Sequence, residues 1–327
     1  MRPFEYAAAA DERQALAAHG AGATYLAGGT CLVDLMKLGV ETPARVVDIS
    51  RLPLVRIELR QRHVHIGALA RLSDVATSPL VTRECPAVAR SLLASASRQL
   101  RNVATMGGNL LQRTRCPYFR DVAFACNRRQ PGAGCAALAA DSSRNAILGA
   151  SDACAAVHPS DVAVALVALD ARVVVRAGAD VRTLSLEDLY PLPGETPARE
   201  TALAPGELVV GLDVPRSRAA ARSCYLKVRD RASFEFALVS VAAALEVDAS
   251  GAVADARLAL GGVGTRPWRV REAERRLVGS PPDREAFTAA AERAVEGAMT
   301  TTETAFKVEL TRRAVVRALQ MAVEATS

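Results

Sequence analysis

Aromatic side chains and blocks of like charge are scarce in this sequence. Only 4% of its 327 residues are Phe, Trp or Tyr, which leaves few surfaces on which the bases of single-stranded nucleic acid could stack. Lys and Arg number 41 against 35 Asp and Glu, a net charge of +6, and the basic residues are scattered along the chain. We therefore expect no nucleic-acid partner.

Long apolar runs are also missing. The two longest candidates, residues 162–169 and 236–245, are about half as long as the roughly 20 residues that a membrane-spanning helix needs. Near the N-terminus, Glu5, Asp11 and Glu12 interrupt the segment where a secretory signal would carry an unbroken apolar core. We expect no membrane span and no export signal of the chain's own, so that export would depend on a partner protein.

The two common nucleotide-binding motifs, Gly-x-Gly-x-x-Gly and the phosphate loop ending in Gly-Lys-Ser/Thr, do not occur in the sequence. Two glycine pairs are present instead. Gly28-Gly29 separates a predicted strand, residues 24–27, from a predicted helix, residues 31–38, and Gly107-Gly108 follows an apolar segment. Glycine adopts positive φ and lets an anion approach backbone N–H groups without a Cβ in the way. Two such loops can hold a diphosphate, although either pair alone is more often only a turn.

An odd number of cysteines, seven, argues against a secreted disulfide framework. Four lie in a segment broken by prolines and glycines, with nine, eight and eighteen residues between them: Cys116, Cys126, Cys135 and Cys154. Most zinc sites pair their ligands across roughly two to four residues, whereas a 4Fe–4S cluster accepts widely spaced thiolates. The residues alone favour the cluster over zinc and leave unrelated buried cysteines open. We expect Cys31, Cys85 and Cys224 to be small buried hydrophobic residues.

The order of predicted strands and helices indicates an α+β protein. Strands come in clusters and the last part of the chain is helical, which differs from the regular alternation of a βαβ protein. The 327 residues exceed the roughly 250–300 that one hydrophobic core accommodates. Breaks in the pattern near residue 52 and near residues 215–221 divide the chain into three predicted segments, 1–52, 53–218 and 219–327.

Five segments together resemble a known family: LAGGTCLVDLMKL, RQLRNVATMGGNLLQRTRCPYF, HPSDVAVALVALDA, PGELVVGLDVP and YLKVRDRASFEFALVSVAAAL. They are similar to the FAD-binding medium subunit of the molybdenum hydroxylases, the xanthine dehydrogenase family, and the similarity covers nearly the whole chain. The resemblance implies a two-part FAD-binding domain of the PCMH/vanillyl-alcohol oxidase type, residues 1–52 and 53–218. A C-terminal α+β domain like that of the CO dehydrogenase flavoprotein would follow, residues 219–327.

The resemblance also implies which residues bind FAD. The diphosphate would be wrapped by the first glycine loop, which comprises Leu26, Ala27, Gly28, Gly29, Thr30, Cys31, Leu32 and Val33. A second wall would be formed by Thr105, Gly108 and Asn109.

Asp161 would accept hydrogen bonds from ribose or ribityl hydroxyls, with a helix cap as the alternative role. The Val209 backbone and the Lys227 ammonium would approach the isoalloxazine. Lys227 could there stabilise negative charge on reduced flavin; alternatively, Lys227 is an ordinary lysine on the surface of a strand. Cys31 departs from the small polar residue or Asn expected after Gly-Gly-Thr.

The cysteine segment, at about residues 112–157, is an insertion that most medium subunits lack. With it the chain resembles the periplasmic aldehyde oxidoreductase subunit that carries FAD and a 4Fe–4S cluster, which implies that Cys116, Cys126, Cys135 and Cys154 bind the cluster. The implied partners are a large molybdenum-cofactor subunit and a small 2Fe–2S subunit, with electrons passing through FAD to an external acceptor. No residue is expected to act on the aldehyde itself. The complex would be periplasmic if a partner carries a twin-arginine signal, and otherwise cytoplasmic.

Two other functions are compatible with part of the sequence. A stand-alone FAD reductase of the UDP-N-acetylenolpyruvoylglucosamine reductase type would explain the two glycine pairs, but it leaves the four clustered cysteines without a role. A zinc-organised binding module would explain the cysteines, but it leaves the glycine pairs and Ser160-Asp161 unexplained. We therefore expect an FAD- and 4Fe–4S-binding electron-transfer subunit of a molybdenum-dependent aldehyde oxidoreductase.

Overall fold

A computed structural model describes residues 1–324 of the chain. The last three residues of the third predicted segment, 325–327, lie outside the described residues. Residues 1–324 form three sheets, of three, five and four strands, in the order of the sequence. We call them the N-terminal, central and C-terminal sheets.

The N-terminal sheet is parallel, with strand order β1-β3-β2. Its elements are β1 (Glu5–Ala8), α1 (Glu12–Ala18), β2 (Ala23–Leu26), α2 (Leu32–Lys37) and β3 (Arg45–Asp48). This unit alternates strands and helices, unlike the clustered order that the sequence indicated. The difference arises at β1, which is mainly exposed and so shows no apolar alternation. The predicted strand, glycine turn and helix are observed as β2, Gly28-Gly29 and α2.

The central sheet is antiparallel, with strand order β4-β5-β8-β6-β7. Its strands are β4 (Ile57–Leu59), β5 (His63–Gly67), β6 (Arg172–Ala177), β7 (Asp180–Ser185) and β8 (Leu208–Pro215). Between β5 and β6 lie α3 (Leu72–Thr77), α4 (Pro79–Glu84), α5 (Pro86–Ala94), α6 (Arg98–Arg101), α7 (Met106–Leu110), α8 (Pro117–Arg120), a 3-10 turn (Ala136–Leu138) and α9 (Asp161–Ala168). Two short helices lie farther along the chain: α10 (Leu186–Leu189) follows β7, and α11 (Arg218–Ala221) follows β8.

The C-terminal sheet is antiparallel, with strand order β12-β11-β10-β9. Its strands are β9 (Cys224–Val228), β10 (Val239–Val247), β11 (Val253–Gly261) and β12 (Trp268–Arg269), followed by α12 (Arg271–Leu277), α13 (Arg284–Ala294) and α14 (Phe306–Glu324). Among residues 1–324, no helix combines the length and the apolar character needed to cross a lipid bilayer. The mixed helices and strands confirm the α+β class.

Helix α9 packs against the C-terminal sheet and against helices α5, α7 and α10, and all eight of its residues are buried. Both faces of the C-terminal sheet are therefore covered. On β10, Ala242 and Ala244 belong to the core around α9, whereas Val241, Ala243 and Leu245 belong to the core beneath α12, α13 and α14. Side chains alternate between the faces of a strand, so a strand buried on both faces needs the continuous apolar run that is seen here.

Arg269 joins α9 to the C-terminal sheet. Its side chain is 1% exposed, and its Nη1 donates to the carbonyl oxygens of Val167 at 2.6 Å and Ala168 at 2.8 Å, in the last turn of α9. The guanidinium also forms an ion pair with the buried carboxylate of Glu274 on α12. These contacts satisfy carbonyl groups that a helix end leaves without partners.

Replacing Arg269 with Met should lower the free energy of unfolding by about 3–5 kcal/mol, because Glu274 would remain as an unpaired buried charge. Urea unfolding followed by circular dichroism measures the change. The control is Arg275→Met, which removes an exposed ion pair to Glu272 and should cost about 0.5 kcal/mol or less. Equal losses in the two variants would contradict this role of Arg269.

Candidate functional site

The first glycine loop connects β2 to α2 and packs directly against another part of the backbone. Gly29 has φ of +70°, a conformation that favours glycine. A Cβ atom at Gly28 would lie 2.2 Å from the carbonyl oxygen of Val103. Only glycine at this position lets the loop approach the chain that leads into the second glycine pair.

The same loop presents backbone donors that the chain does not use. Within residues 1–324, the N–H groups of Thr30, Cys31 and Leu32 donate no hydrogen bond to another residue. Cys31, which precedes the first residue of α2, makes no side-chain cap. Free N–H groups at the start of a helix carry partial positive charge and bind phosphate oxygens. The loop is therefore equipped to bind one side of a diphosphate.

The second glycine pair differs, because its N–H groups are already bound. Gly107 donates to the carbonyl oxygen of Ala68 at 2.7 Å, and Gly108 donates to the Thr105 hydroxyl at 3.3 Å. A Cβ at Gly107 would lie 3.1 Å from the Cβ of Ala68. The pair thus serves as a closely packed wall. Its neighbour Asn109 accepts a hydrogen bond from the hydroxyl of Ser160 at 2.6 Å, which ties this wall to the start of α9.

A cleft that encloses about 1240 Å³ of empty space, partly open to solvent, lies between the N-terminal and central sheets. Nine predicted FAD-binding residues line it: Ala27, Gly28, Gly29, Thr30, Cys31, Leu32, Thr105, Gly108 and Val209. Leu26 and Val33 do not line the cleft; their side chains approach Gly29 and support the loop. The predicted contacts of all these residues with FAD stay predictions.

Asp161 lies apart from this cleft in a buried polar cluster. Its carboxylate accepts hydrogen bonds from the hydroxyls of Tyr225 at 2.6 Å and Ser95 at 2.9 Å, and from the ammonium of Lys227 at 2.8 Å. Ser160 caps α9 by accepting a hydrogen bond from the N–H of residue 163. The helix-cap role considered for Asp161 therefore belongs to its neighbour.

Lys227 is an interior residue, so the surface-lysine alternative is wrong. Its side chain is 3% exposed, and its ammonium also donates to the carbonyl oxygen of Ala94 at 3.2 Å. The carboxylate of Asp161 matches its charge. Burial raises the pKa of the Tyr225 hydroxyl well above its usual value, and the negative charge of Asp161 raises it further, so Tyr225 remains a hydrogen-bond donor.

A second cavity lies beside this cluster, between the start of α9 and the C-terminal sheet. We call it the junction cavity; it has about 870 Å³ of empty space, partly open to solvent. Ser160 and Asp161 line one side, and residues 236–238 and the buried Lys307 line others. The sequence analysis missed Lys307, because one lysine in the first turn of a long helix carries no signal of burial.

His158 lines the junction cavity, is partly buried and packs against the ring of Tyr190, with 4.5 Å between the ring centroids. Burial lowers the pKa of His158 to about 3, and the positive charge of Arg128 acts in the same direction. His158 is therefore neutral at physiological pH, and it contributes shape to the wall without adding charge.

The structure brings the four clustered cysteines into one region. Burial raises the pKa of Cys116, and the neighbouring thiols of Cys126 and Cys154 raise it further when ionised, whereas two backbone N–H groups lower it. Cys135 shows the same combination of effects. All four thiols are free. Even so, no three His, Cys, Asp or Glu side chains of the described residues are arranged to hold a metal ion. The predicted ligand set stays a prediction.

Arg128 connects the cysteine segment to the cleft. Its Nε donates to the sulfur of Cys154 at 3.2 Å, and its Nη1 lies 3.0 Å from a carboxylate oxygen of Glu200. Glu200 in turn accepts a hydrogen bond of 2.6 Å from Arg113, which lines the cleft. Arg128 and Glu200 thus link the sulfur of Cys154 to a residue that lines the cleft. Nothing in the sequence around Arg128 predicts these contacts, because Cys154 and Glu200 are distant from it along the chain.

The paired glycine loops and the cleft between two sheets define a flavoprotein with a two-part FAD-binding domain. Comparison with known families agrees: the family described as "FAD binding domain in molybdopterin dehydrogenase" matches residues 2–217. The family described as "CO dehydrogenase flavoprotein C-terminal domain" matches residues 224–322. The chain belongs to the FAD-binding subunits of the molybdenum hydroxylase family, and it is an oxidoreductase component that binds FAD.

Individual relatives are consistent with this assignment. The chain is 50% identical over 258 residues to the aldehyde oxidoreductase FAD-binding subunit PaoB of Escherichia coli K12, covering 78% of this chain and 79% of that protein. It is 28% identical over 255 residues to the glyceraldehyde dehydrogenase medium chain of Sulfolobus acidocaldarius, covering 78% and 73%. The family resemblance is confirmed. Neither the stand-alone reductase nor the zinc module accounts for both family matches.

Solved structures show the same fold. Quinoline 2-oxidoreductase from Pseudomonas putida 86 matches with a TM-score of 0.76 and 23% identity, covering 100% of this chain and 99% of that chain. Carbon monoxide dehydrogenase from Hydrogenophaga pseudoflava matches with a TM-score of 0.75 and 25% identity, covering 99% of both chains. The arrangement of three sheets is therefore that of the family.

Replacing Gly28 with Ala should weaken FAD binding at least tenfold, about 1.4 kcal/mol, because the new Cβ would push the first loop away from Val103. Isothermal titration of the apoprotein with FAD measures this. Gly20→Ala is the control: a Cβ at Gly20 meets no atom within 4 Å, and FAD affinity should stay within about twofold. Similar losses in both variants would show that the close contact at Gly28 is unimportant.

Replacing His158 with Phe should reduce the amount by which the free energy of unfolding falls as the pH is lowered. Between pH 6.5 and about 3 the unfolded chain binds a proton at His158 that the folded chain does not, so the wild type loses stability as the pH falls through this range. The variant lacks this contribution, which amounts to at most about 1.4 kcal/mol per pH unit. Urea unfolding at several pH values from 4 to 7 tests the difference; parallel curves would disprove it.

Proposed function

We propose that the chain is the FAD- and 4Fe–4S-carrying electron-transfer subunit of a molybdenum-dependent aldehyde oxidoreductase. The observation that carries the proposal is the segment 112–157, in which four free thiols lie close together and connect through Arg128 to the FAD cleft. The 50% identical relative is named as an aldehyde oxidoreductase FAD-binding subunit, which supports an aldehyde substrate for the whole complex.

The residues of this chain would hold FAD at two places. The free N–H groups of residues 30–32 would bind the diphosphate, while Gly107-Gly108 would form the opposite wall. The buried pair of Asp161 and Lys227 would orient the sugar and ring portions beyond Asn109. Bound FAD would supply the redox chemistry, taking up electrons from a partner and releasing them to an external acceptor. We also propose that the chain divides at residues 52 and 218.

The cluster ligands would be Cys116, Cys126, Cys135 and Cys154. Their chemistry fits, because a 4Fe–4S cluster takes one thiolate for each iron. Burial raises the pKa of Cys116 and Cys135, and two backbone N–H groups beside each sulfur partly offset that rise. We favour a role for the cluster in bracing the segment or facing the acceptor, because metal binding by cysteines is coupled to the folding of the surrounding loop.

The proposed partners are a large molybdenum-cofactor subunit and a small 2Fe–2S subunit. Support comes from relatives that are named as medium chains, a term that implies a larger and a smaller companion. Oxidation of the aldehyde would take place on the large subunit. We propose that the complex is periplasmic where a partner carries a twin-arginine signal, and cytoplasmic otherwise.

Anaerobic purification of the chain with its neighbours in the operon, followed by assay of flavin, iron, sulfide and molybdenum, tests this function. The chain separated from its partners should retain FAD together with roughly four irons and four sulfides. FAD without iron and sulfide would overturn the cluster while leaving the flavoprotein assignment intact. A colourless chain would overturn both.

Replacing Cys126 with Ser should remove most of the iron and labile sulfide and lower the melting temperature, because the segment would lose a metal ligand that organises it. Iron and sulfide assays and thermal unfolding measure the two effects. Cys85→Ala is the matched control, since Cys85 is fully buried between α4 and α5 and should leave the iron content unchanged. Full iron content in Cys126→Ser would exclude Cys126 as a ligand. Normal flavin reduction by the partners without the cluster would support bracing.

A further inference from the structure

Lysine is rare in this chain, and its placement is uneven. The sequence contains three lysines among its 41 basic residues: Lys37, Lys227 and Lys307. Lys37 is exposed, whereas the Lys227 side chain is 3% exposed and Lys307 is 1% exposed. Lysine is almost never fully buried without a partner. The two buried lysines, both near the junction cavity, therefore need an explanation.

The two buried lysines differ in how their charge is balanced. Lys227 forms an ion pair with Asp161 at 2.8 Å. Lys307 has no carboxylate partner among residues 1–324; its ammonium donates to the carbonyl oxygens of Asn145 at 2.8 Å and Gly262 at 3.0 Å. An ammonium has three donors, so one of them remains. Burial lowers the pKa of Lys307 to about 8, with Arg144 contributing, and the group is still mainly protonated at neutral pH.

The position of Lys307 in its helix adds to the positive charge that no carboxylate balances. It is the second residue of α14, a helix of 19 residues, where the helix dipole adds positive potential. The helix dipole disfavours a cation at this end of a helix and favours an anion there. The partial charges of two carbonyl groups solvate the ammonium but do not neutralise it.

The rest of the junction cavity has a mixed lining. One part is apolar and could contact the face of a ring: Val157, Pro159, Phe236 and Leu238. The rim also carries charged side chains, Arg115, Asp141 and Arg144. The buried hydroxyl of Ser240 also lines the cavity, beside Tyr225 but without a well-formed hydrogen bond among the described residues. Apolar walls lower the local dielectric and so strengthen the effect of a single nearby charge.

A dinucleotide held at the first glycine loop would reach this cavity along the second glycine pair. Asn109 follows that pair and is hydrogen-bonded to Ser160, which lines the junction cavity. The cleft and the cavity thus lie on either side of one short connection. In the binding mode proposed here, the end of FAD that carries the flavin ring would extend past Asn109 and Ser160 into the junction cavity.

We propose that Lys307, and not Lys227, is the residue whose uncompensated charge stabilises reduced flavin, with the ring occupying the junction cavity. This inference rests on the proposed binding mode of FAD. Two electrons and one proton convert the oxidised ring into the anionic hydroquinone, which carries one negative charge. The ammonium of Lys307 attracts that charge, whereas the charge of Lys227 is already matched by Asp161. Lys307 thereby raises the reduction potential of the bound flavin.

The test is a reductive titration of the FAD-loaded full chain with dithionite and redox mediators. Lys307→Gln keeps hydrogen-bond donors near the two carbonyls but removes the charge. It should lower the preference of the site for reduced over oxidised FAD at least tenfold, a fall of about 30 mV for a two-electron couple. Lys307→Arg, which keeps the charge, should restore most of the potential. Lys37→Gln makes the same change at an exposed position and should leave the potential unchanged, because solvent screens that charge.

An unchanged potential in Lys307→Gln, with FAD bound stoichiometrically, would overturn the inference and leave the proposed function intact. A wild-type chain that binds no FAD would overturn both. Should Lys307→Gln fail to fold, an experimental structure of the FAD-loaded wild type decides the question. A flavin ring in the junction cavity with Lys307 as its nearest unpaired cation supports the inference, and a ring elsewhere contradicts it.

Discussion

The buried carboxylate of Asp161 holds α9, the turn after α5 and strand β9 of the C-terminal sheet together. Asp161 is the first residue of α9. Its carboxylate accepts hydrogen bonds from Ser95, which follows α5, and from Tyr225 and Lys227 on β9. A buried charge is tolerated only when partners surround it, so these elements must stay together for the ion pair with Lys227 to persist. The same contact fixes one wall of the junction cavity.

The two glycine loops have different physical tasks although their sequences look alike. Gly28-Gly29 offers unpaired N–H groups beside a close backbone contact, whereas the N–H groups of Gly107-Gly108 are bound within the chain. One loop is thus suited to bind phosphate oxygens and the other to form a fixed wall. The hydrogen bond between Asn109 and Ser160 extends this wall toward α9. A cofactor that spans both regions would contact all three parts of the fold.

The cysteine segment is attached to the FAD-binding part through charged groups. Arg128 contacts both Cys154 and Glu200, and Glu200 is shared with Arg113 at the cleft. A change of charge at the cysteines would therefore alter the electrostatic potential at the cleft, because Arg128, Glu200 and Arg113 lie between them and buried charges are weakly screened. This arrangement relates the proposed cluster to the flavin without requiring that electrons pass between them.

Much of the local structure could be predicted from the sequence. The β2–glycine–α2 unit and both glycine pairs follow from backbone preferences of neighbouring residues, and the five family-like segments identified the fold and FAD as the cofactor. The parallel strand β1 was missed, because an exposed strand at a sheet edge carries no apolar alternation.

The burial and the bonding partners of Asp161, Lys227, Lys307 and Arg128 became visible only in the tertiary structure. Each residue contacts partners distant in sequence, such as Ser95 for Asp161 and Gly262 for Lys307. A local pattern shows that a residue is charged, but burial and the position of the opposing charge determine what that charge does. Those are properties of packing between segments, which residue spacing along the chain does not contain.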